Sequence, residues 1–334
     1  MRRRAFVQKA VLGGLGFGVL RNLEACASRA IGTEAADTFA ALRDRYFLFQ
    51  LKKNPVTSTY LGGDAYHPSL RDTNSRLRDY NPTALEQELR YYSDVRTALS
   101  AIDRRTLTPV EEVDRAVMDA QLAFLVHQLS SRYQEKALDT YVAEPFRGID
   151  WQIQQMTDAG KGLLGTEEEW QQIVNRTLAT PAYLDVARAN LLAGKKSGNM
   201  PDKRMVQRDG INGSTANAEY FRTTLPATAR GFIGGRAFGQ QMLARITSAG
   251  TLAARAWDDF ARFLGGNFDA RESADRFAAG EAEYEWRVHN VLRDSRTTPQ
   301  LFQYGRDQVD LYTNRIYEIA RVVAADAKLG LSFT

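Results

Sequence analysis

At four places in this chain a residue able to cap a helix is followed by proline and then by apolar residues recurring every three or four positions. They are Asn81-Pro82, Thr108-Pro109, Thr180-Pro181 and Thr298-Pro299. Proline at the first helical position gives up no needed hydrogen bond, and the side chain before it can accept from the free N–H groups of the first turn. After Asn81 the positions Leu85, Leu89, Tyr92, Leu99 and Ile102 share a helical face. After Thr298 the series Val309, Tyr312, Ile316, Ile319, Val323 alternates steps of three and four, as one buried face requires. Thr108-Pro109-Val110-Glu111 and Thr166-Glu167-Glu168-Glu169 have the spacing of capping boxes.

The same periodicity predicts helices over 34–53, with Phe39, Leu42, Tyr46 and Phe49 inward, after Pro181 through Leu184 and Leu191 to Gly194, over 252–264 and over 281–292. Period-two alternation bounded by turns is nearly absent, so an all-α, multi-helix chain is expected. Clusters of Gly, Pro, Asn and Asp predict loops at 55–81, 138–165 and 194–226. No internal repeat or linker divides residues 28–334, which read as one helical domain behind an export signal at 1–27.

Composition removes several function classes. The single cysteine among 334 residues excludes an intramolecular disulfide and a cysteine-built zinc ribbon. A mean hydropathy of -0.40 excludes a polytopic membrane protein. The isoelectric point near 9.1 suggests nucleic acid, but the excess charge is terminal. Residues 1–27 hold Arg2, Arg3, Arg4, Lys9 and Arg21 against Glu24; taking these five and one from the 44 basic and 40 acidic residues leaves 39 of each sign. No cationic stripe interleaved with aromatics follows, so no nucleic-acid partner is expected.

Residues 2–9 read RRRAFVQK and are followed by AVLGGLGFGVL, an apolar run too short to span a bilayer, which needs ~20 residues. Arg3, Arg4, Phe6 and Lys9 resemble the twin-arginine export signal in order and spacing. Two processing sites overlap behind it. Ala25-Cys26-Ala27 fits cleavage after Ala27, giving a soluble periplasmic protein, while Leu23-Glu24-Ala25-Cys26 resembles a lipobox that would acylate Cys26 and anchor the chain to the membrane.

The search for chemistry returns few candidates. There is no GxxxxGK[ST] and no GxSxG, and the glycine-rich stretch 231–239 follows no strand, so it reads as a bend or a close helix approach. Asp258 and Asp259 point to different helix faces. Of the three histidines, His67 sits in a turn before Pro68. His127 shares a face with Val113, Val117, Ala120 and Phe124 and reads as a hydrogen-bonded core residue. His289 follows Glu281 and Glu285 at four-residue steps; this stripe is a solvated face, helped by a Glu283–Arg287 pair, or one side of a metal site that another helix completes.

The stretch Asn54-Pro55-Val56-Thr57-Ser58-Thr59-Tyr60-Leu61-Gly62, with Tyr46-Phe47 before it, resembles the opening of a bacterial family catalogued as domain of unknown function 885. Ala101-Ile102-Asp103 with Leu107-Thr108-Pro109, Pro181-Ala182-Tyr183-Leu184 with Leu191 and Gly194, 256–264, and Thr297-Thr298-Pro299 with Gly305 and Val309 continue the resemblance to about Val323. The resemblance implies a helical, zincin-like scaffold similar to zinc carboxypeptidases and oligopeptidases. It also implies a later helix carrying a His-Glu-x-x-Pro-Gly-His-His zinc motif. Here the histidines precede Pro68, Gln128 and Asn290, so no His-Glu pair exists. The chain therefore reads as the N-terminal half of such a scaffold, inactive alone, with no catalytic, cofactor or metal residue assigned and a separately encoded catalytic half as its expected partner. A peptide substrate is expected only in that completed form. The alternatives are a self-standing periplasmic or lipid-anchored helical binding protein, and a hydrolase using Glu281, Glu285 and His289.

Export is predicted to depend on the arginine pair. Replacing Arg3 and Arg4 together by lysine should leave uncleaved precursor in the cytoplasm, read by fractionation and immunoblot; normal periplasmic yield would reject the twin-arginine assignment.

Overall fold

Thr108 and Thr166 form the capping boxes their sequences announce. Thr108 Oγ1 accepts from the Glu111 N–H at 3.3 Å while the Glu111 carboxylate accepts from the Thr108 N–H at 2.9 Å. Thr166 and Glu169 repeat the exchange at 3.2 and 2.7 Å. Each box fixes a helix start and contributes about 1 kcal/mol. At the other two threonines the cap shifts. Thr180 is itself helical and buried, with Ala179 before it, and Thr297 rather than Thr298 exchanges hydrogen bonds with Gln300.

The computed structural model describes residues 38–156, 164–268 and 280–326, and every regular element among them is helical. The export signal and Cys26 lie outside the described residues. Helices α1 (Phe39–Lys53) and α2 (Pro55–Leu61) lead through a single turn (Gly63–Tyr66) and a 3₁₀ segment (Pro68–Ser75) to α3 (Pro82–Ala101) and α4 (Pro109–Ser130). Then come α5 (Leu138–Met156), α6 (Glu167–Leu178) and α7 (Thr180–Ser197). The composite α8 is built from Lys203–Met205, Val206–Asn212, Gly213–Glu219, Tyr220–Thr224 and Leu225–Ile233. The last described elements are α9 (Gly239–Asn267), α10 (Glu281–Asn290) and α11 (Thr298–Asp326).

Two apolar cores result. Phe39, Leu42 and Tyr46 of α1 meet Tyr92, Val95 and Leu99 of α3 and Met118 and Leu122 of α4. A larger core between α5 and α9 surrounds Trp170, Trp257, Phe221 and Phe260, all fully buried. Each such aromatic contributes roughly 1.5–3 kcal/mol by leaving water. Leu129, near the end of α4, touches both cores.

All three predicted loops contain helix. Pro55 opens α2 at its first position, and residues 138–156 form α5 despite Pro145 in its interior. In α8 the inward positions Val206, Gly210, Ser214, Ala218, Phe221, Leu225, Ala229 and Ile233 repeat mainly by fours. A uniform α-helix turns 3.6 residues per cycle and could not keep them on one side. Two π-helical stretches, Val206–Asn212 and Tyr220–Thr224, each supply extra residues to a turn and hold the face in register. The glycine-rich stretch 231–239 makes the reversal from α8 into α9, as expected of a bend. A Cβ on Gly239 would lie 1.9 Å from the Ile233 carbonyl oxygen.

One buried cation joins the N-terminal segment to this body. Arg176 of α6 is fully buried and donates to the carbonyls of Gly148, Thr73 and Arg76, and to Thr59 Oγ1 at 2.7 Å. It passes close to Gly148, where a Cβ would stand 3.0 Å from the Arg176 Cδ and crowd it. Burial pulls its pKa below the ordinary guanidinium value, to about 9, which still leaves it charged at neutral pH. Arg176→Ala should cost about 3 kcal/mol or more, because three carbonyls lose a charged donor at ~1–3 kcal/mol each. Urea unfolding measures this, and a loss under 1 kcal/mol would contradict the role.

Candidate functional site

The most concentrated chemistry lies around the proline inside α5. Pro145 withdraws the N–H that would bond the Tyr141 carbonyl, and Asn217 of α8 donates to the neighbouring Val142 carbonyl at 2.8 Å. Glu144, just before the proline, is aimed between α7 and the segment leading into α3. Tyr80 donates to its Oε1 at 3.1 Å and Tyr183 to its Oε2 at 3.0 Å. Tyr80, Tyr141 and Tyr183 pack edge-on in a triangle, with ring centroids 5.0, 5.9 and 6.1 Å apart. Asn190 of α7 completes it, donating to Tyr141 Oη and to the Tyr80 carbonyl, each at 3.0 Å.

Arg78 extends this centre. Its guanidinium lies 5.1 Å from the Tyr80 ring centroid, pairs with the buried Glu88 at 2.8 Å, and donates to Asn54 Oδ1. Tyr92 donates to Gln50 at 2.6 Å beside them. Burial pushes the Glu144 carboxyl above the ordinary carboxylate range, against the lowering pull of Arg78 and of the hydrogen bonds from Tyr183 and Tyr80. Burial raises Glu88 in the same way, against Arg78. Both oxygens of Glu144 are taken by donors from two other segments, so the group acts as a fixed acceptor that ties α5 to α7 and to the entry of α3.

The sequence-derived candidates go elsewhere. His67 Nδ1 accepts from the Ser69 N–H at 3.1 Å and caps the following 3₁₀ turn. His127 is hydrogen-bonded as expected but is not a core residue. It is half-buried, with Nε2 2.7 Å from Glu283 and its ring stacked 3.7 Å from that of Trp286. The face assigned to it is covered only in part: Ala120 is buried and Phe124 half-buried under Arg287, while Val113 and Val117 are exposed.

In the Glu281, Glu285, His289 stripe, Glu285 accepts from Thr298 Oγ1 at 3.3 Å and His289 donates from Nδ1 to the Asp294 carbonyl at 2.7 Å. Both therefore shape the junction of α10 with α11. The expected Glu283–Arg287 pair forms at 2.7 Å. Burial opposes the Glu283 charge, yet hydrogen bonds from Arg287 and His127 hold its carboxyl below the usual range. Among the described residues no three His, Cys, Asp or Glu side chains converge as a metal site. The zinc implied by the family resemblance thus has no fitting donor set among the described residues. Asp258 and Asp259 serve different arginines, Arg222 at 2.6 Å and Arg262.

Arg176 and Glu144 escaped the sequence reading. A signal existed for the first: Arg176 falls three residues after Ile173 on the face that buries Trp170, Ile173 and Thr177. Glu144 carried none, since it lies in a segment whose internal proline argues against a helix.

Glu144 gives a pH signature. A carboxyl whose folded pKa is raised favours the folded state below its unfolded value and loses that contribution as pH rises through the folded value. Glu144→Gln removes this loss, so the variant should gain stability relative to the native chain between about pH 4.5 and pH 7.5. Urea midpoints at the two pH values test it; a relative loss on raising the pH would contradict the assignment.

Comparison with known proteins agrees with this helical scaffold. Residues 55–331 match the family described as "Bacterial protein of unknown function (DUF885)". No curated protein matches. A solved structure from Shewanella oneidensis, described as a "putative lipoprotein of unknown function", superposes with a TM-score of 0.63 at 15% identity, over 87% of this chain and 49% of that one. The chain thus spans about half the length of the solved protein it matches, and that likeness concerns the fold alone. With the match covering most of its length, the chain belongs to the DUF885 family.

Proposed function

We propose that this chain is the non-catalytic N-terminal half of an exported, zincin-like helical scaffold, without peptidase activity of its own. The observation that carries the reading is the use made of its ionisable groups. Glu144, Glu88, Arg78, Arg176 and the His127–Glu283 pair each join separate segments of the fold. A reactive centre needs a nucleophile, base or metal ligand left available to substrate. The half-length match to the Shewanella oneidensis protein supports the same reading. Export is supported by the Arg3-Arg4-x-Phe-x-x-Lys9 pattern and by the wording under which that similar protein is described. No helix among the described residues is long and apolar enough to cross a membrane.

The purified chain should hold no stoichiometric zinc after dialysis and should leave a broad peptide library uncut. Elemental analysis and mass spectrometry read both. One tightly bound zinc per chain, lost in His289→Ala together with a peptidase rate, would overturn the proposal in favour of the Glu281–Glu285–His289 hydrolase.

A further inference from the structure

Helix α11 is 29 residues long, about 43 Å at 1.5 Å per residue, and its described polar attachments lie at its start. Thr298 bonds Glu285, and the Arg296 guanidinium lies 4.0 Å from the Tyr304 ring centroid. Along the helix ten large apolar side chains from Phe302 to Val323, Tyr304 included, are 46–69% exposed. The uncovered apolar area is on the order of 1,000 Å², beyond what a monomer usually leaves bare and comparable to one side of a stable interface.

The pattern around the helix selects the occupant. Val309, Ile316 and Val323 repeat every seven residues, with Ile319 between them, and make one seam. Leu311 and Val322 lie on a second strip beside it. At 100° per residue the two strips lie within an arc of roughly 160°, parted by Gln308 and Arg315, while Asp307, Asn314 and Arg321 form the polar ridge opposite, beside Tyr317. A second copy of α11 in a two-stranded coil would cover the narrow seam and leave the outer part of the second strip wet. An arc this wide is buried only between two neighbouring elements.

The similar Shewanella oneidensis protein carries about as much chain again outside the part matched here. We infer that α11 is the docking element for the complementary half of the DUF885 scaffold, and that it seats in an apolar groove between two helices of that half. This inference rests on the half-scaffold reading proposed above and names its partner surface.

The test uses the polypeptide encoded directly after the Thr334 codon, in the same chain or as a separate one, and hydrogen exchange of the α11 amides with and without it. The expected result is at least 100-fold slower exchange along α11 when that polypeptide is present. Ile316→Asp and Leu311→Asp should each weaken a separate association, or undo the protection within one chain, at least 10-fold. Both sites are exposed, and the exchange measurement on the unmodified chain needs no variant. Unchanged α11 exchange, or no helical polypeptide encoded there, overturns the inference. So does a homodimer in sedimentation equilibrium that Ile316→Asp abolishes and Leu311→Asp spares, because a second copy would then be the occupant. Zinc-dependent peptidase activity of the chain alone would reject the half-scaffold reading separately, whatever α11 does.

Discussion

The Arg176 guanidinium is the constraint on which the rest of this architecture depends. A charge buried this fully is costly unless its donors are used, and here the acceptors are three backbone carbonyls, the Thr59 hydroxyl and, at 3.5 Å, the Gln152 side-chain oxygen rather than a carboxylate. Those acceptors come from segments about 100 residues earlier in the chain and from α5, so one side chain fixes where α2 and the 3₁₀ segment rest. Lysine, a compact ammonium on a flexible stem, could not reproduce the planar fork that reaches several carbonyls at once. The neighbouring Thr59 hydroxyl passes the arrangement on, donating to Asn74 Oδ1 at 2.7 Å. The N-terminal third is thus fastened to α5 and α6 by polar directionality, where apolar packing alone would let it slide.

A second polar centre at Glu144 does the same for α5, α7 and the entry of α3. Two phenols, a carboxylate and a nearby guanidinium have the parts list of an acid–base site, but every group is turned toward another segment of the same chain. The distinction matters for assigning chemistry, because perturbed ionisation follows burial and hydrogen bonding whether or not a substrate is involved. At α10 the pattern is looser: His127, Trp286, Glu283 and Arg287 hold a helix that buries only Val288 fully. The body is rigidly specified, while the element leading to α11 is held by a few polar and stacking contacts.

Much of the fold was legible in the sequence where local chemistry decides it. The capping boxes at Thr108 and Thr166, the start of α3 at Pro82, and the inward residues Phe39, Leu42 and Tyr46 of α1 all follow from short-range rules. The predicted loops failed for identifiable reasons. Pro145 reads as a breaker, yet α5 tolerates it because Asn217 donates to the carbonyl ladder beside the gap. Helix α8 repeats by fours and so escapes a search tuned to 3.6. In α11 the periodicity was read correctly but its meaning was not: Val309, Tyr312, Ile316, Ile319 and Val323 form a face suited to burial, yet all five are exposed. Amphipathic spacing says that something covers a helix, without saying what. His127 shows the same limit on α4, and Glu144 and Arg176 depend on partners too distant in sequence for any local pattern to reveal.

The two π-helical stretches of α8 bear on how such a chain can vary by descent. Seven steps carry the inward face from Val206 to Ile233; with one residue removed from each π stretch, the same steps would average close to 3.6 residues. A single-residue deletion at either place would relax the local turn to ordinary α geometry and leave the flanking faces where they were. A deletion anywhere else in α8 would rotate everything beyond it by about 100° and carry Phe221, Leu225 or Ile233 out of the core. The helix therefore has two slack points in an otherwise length-locked element, and one-residue insertions and deletions among related chains are expected to collect there.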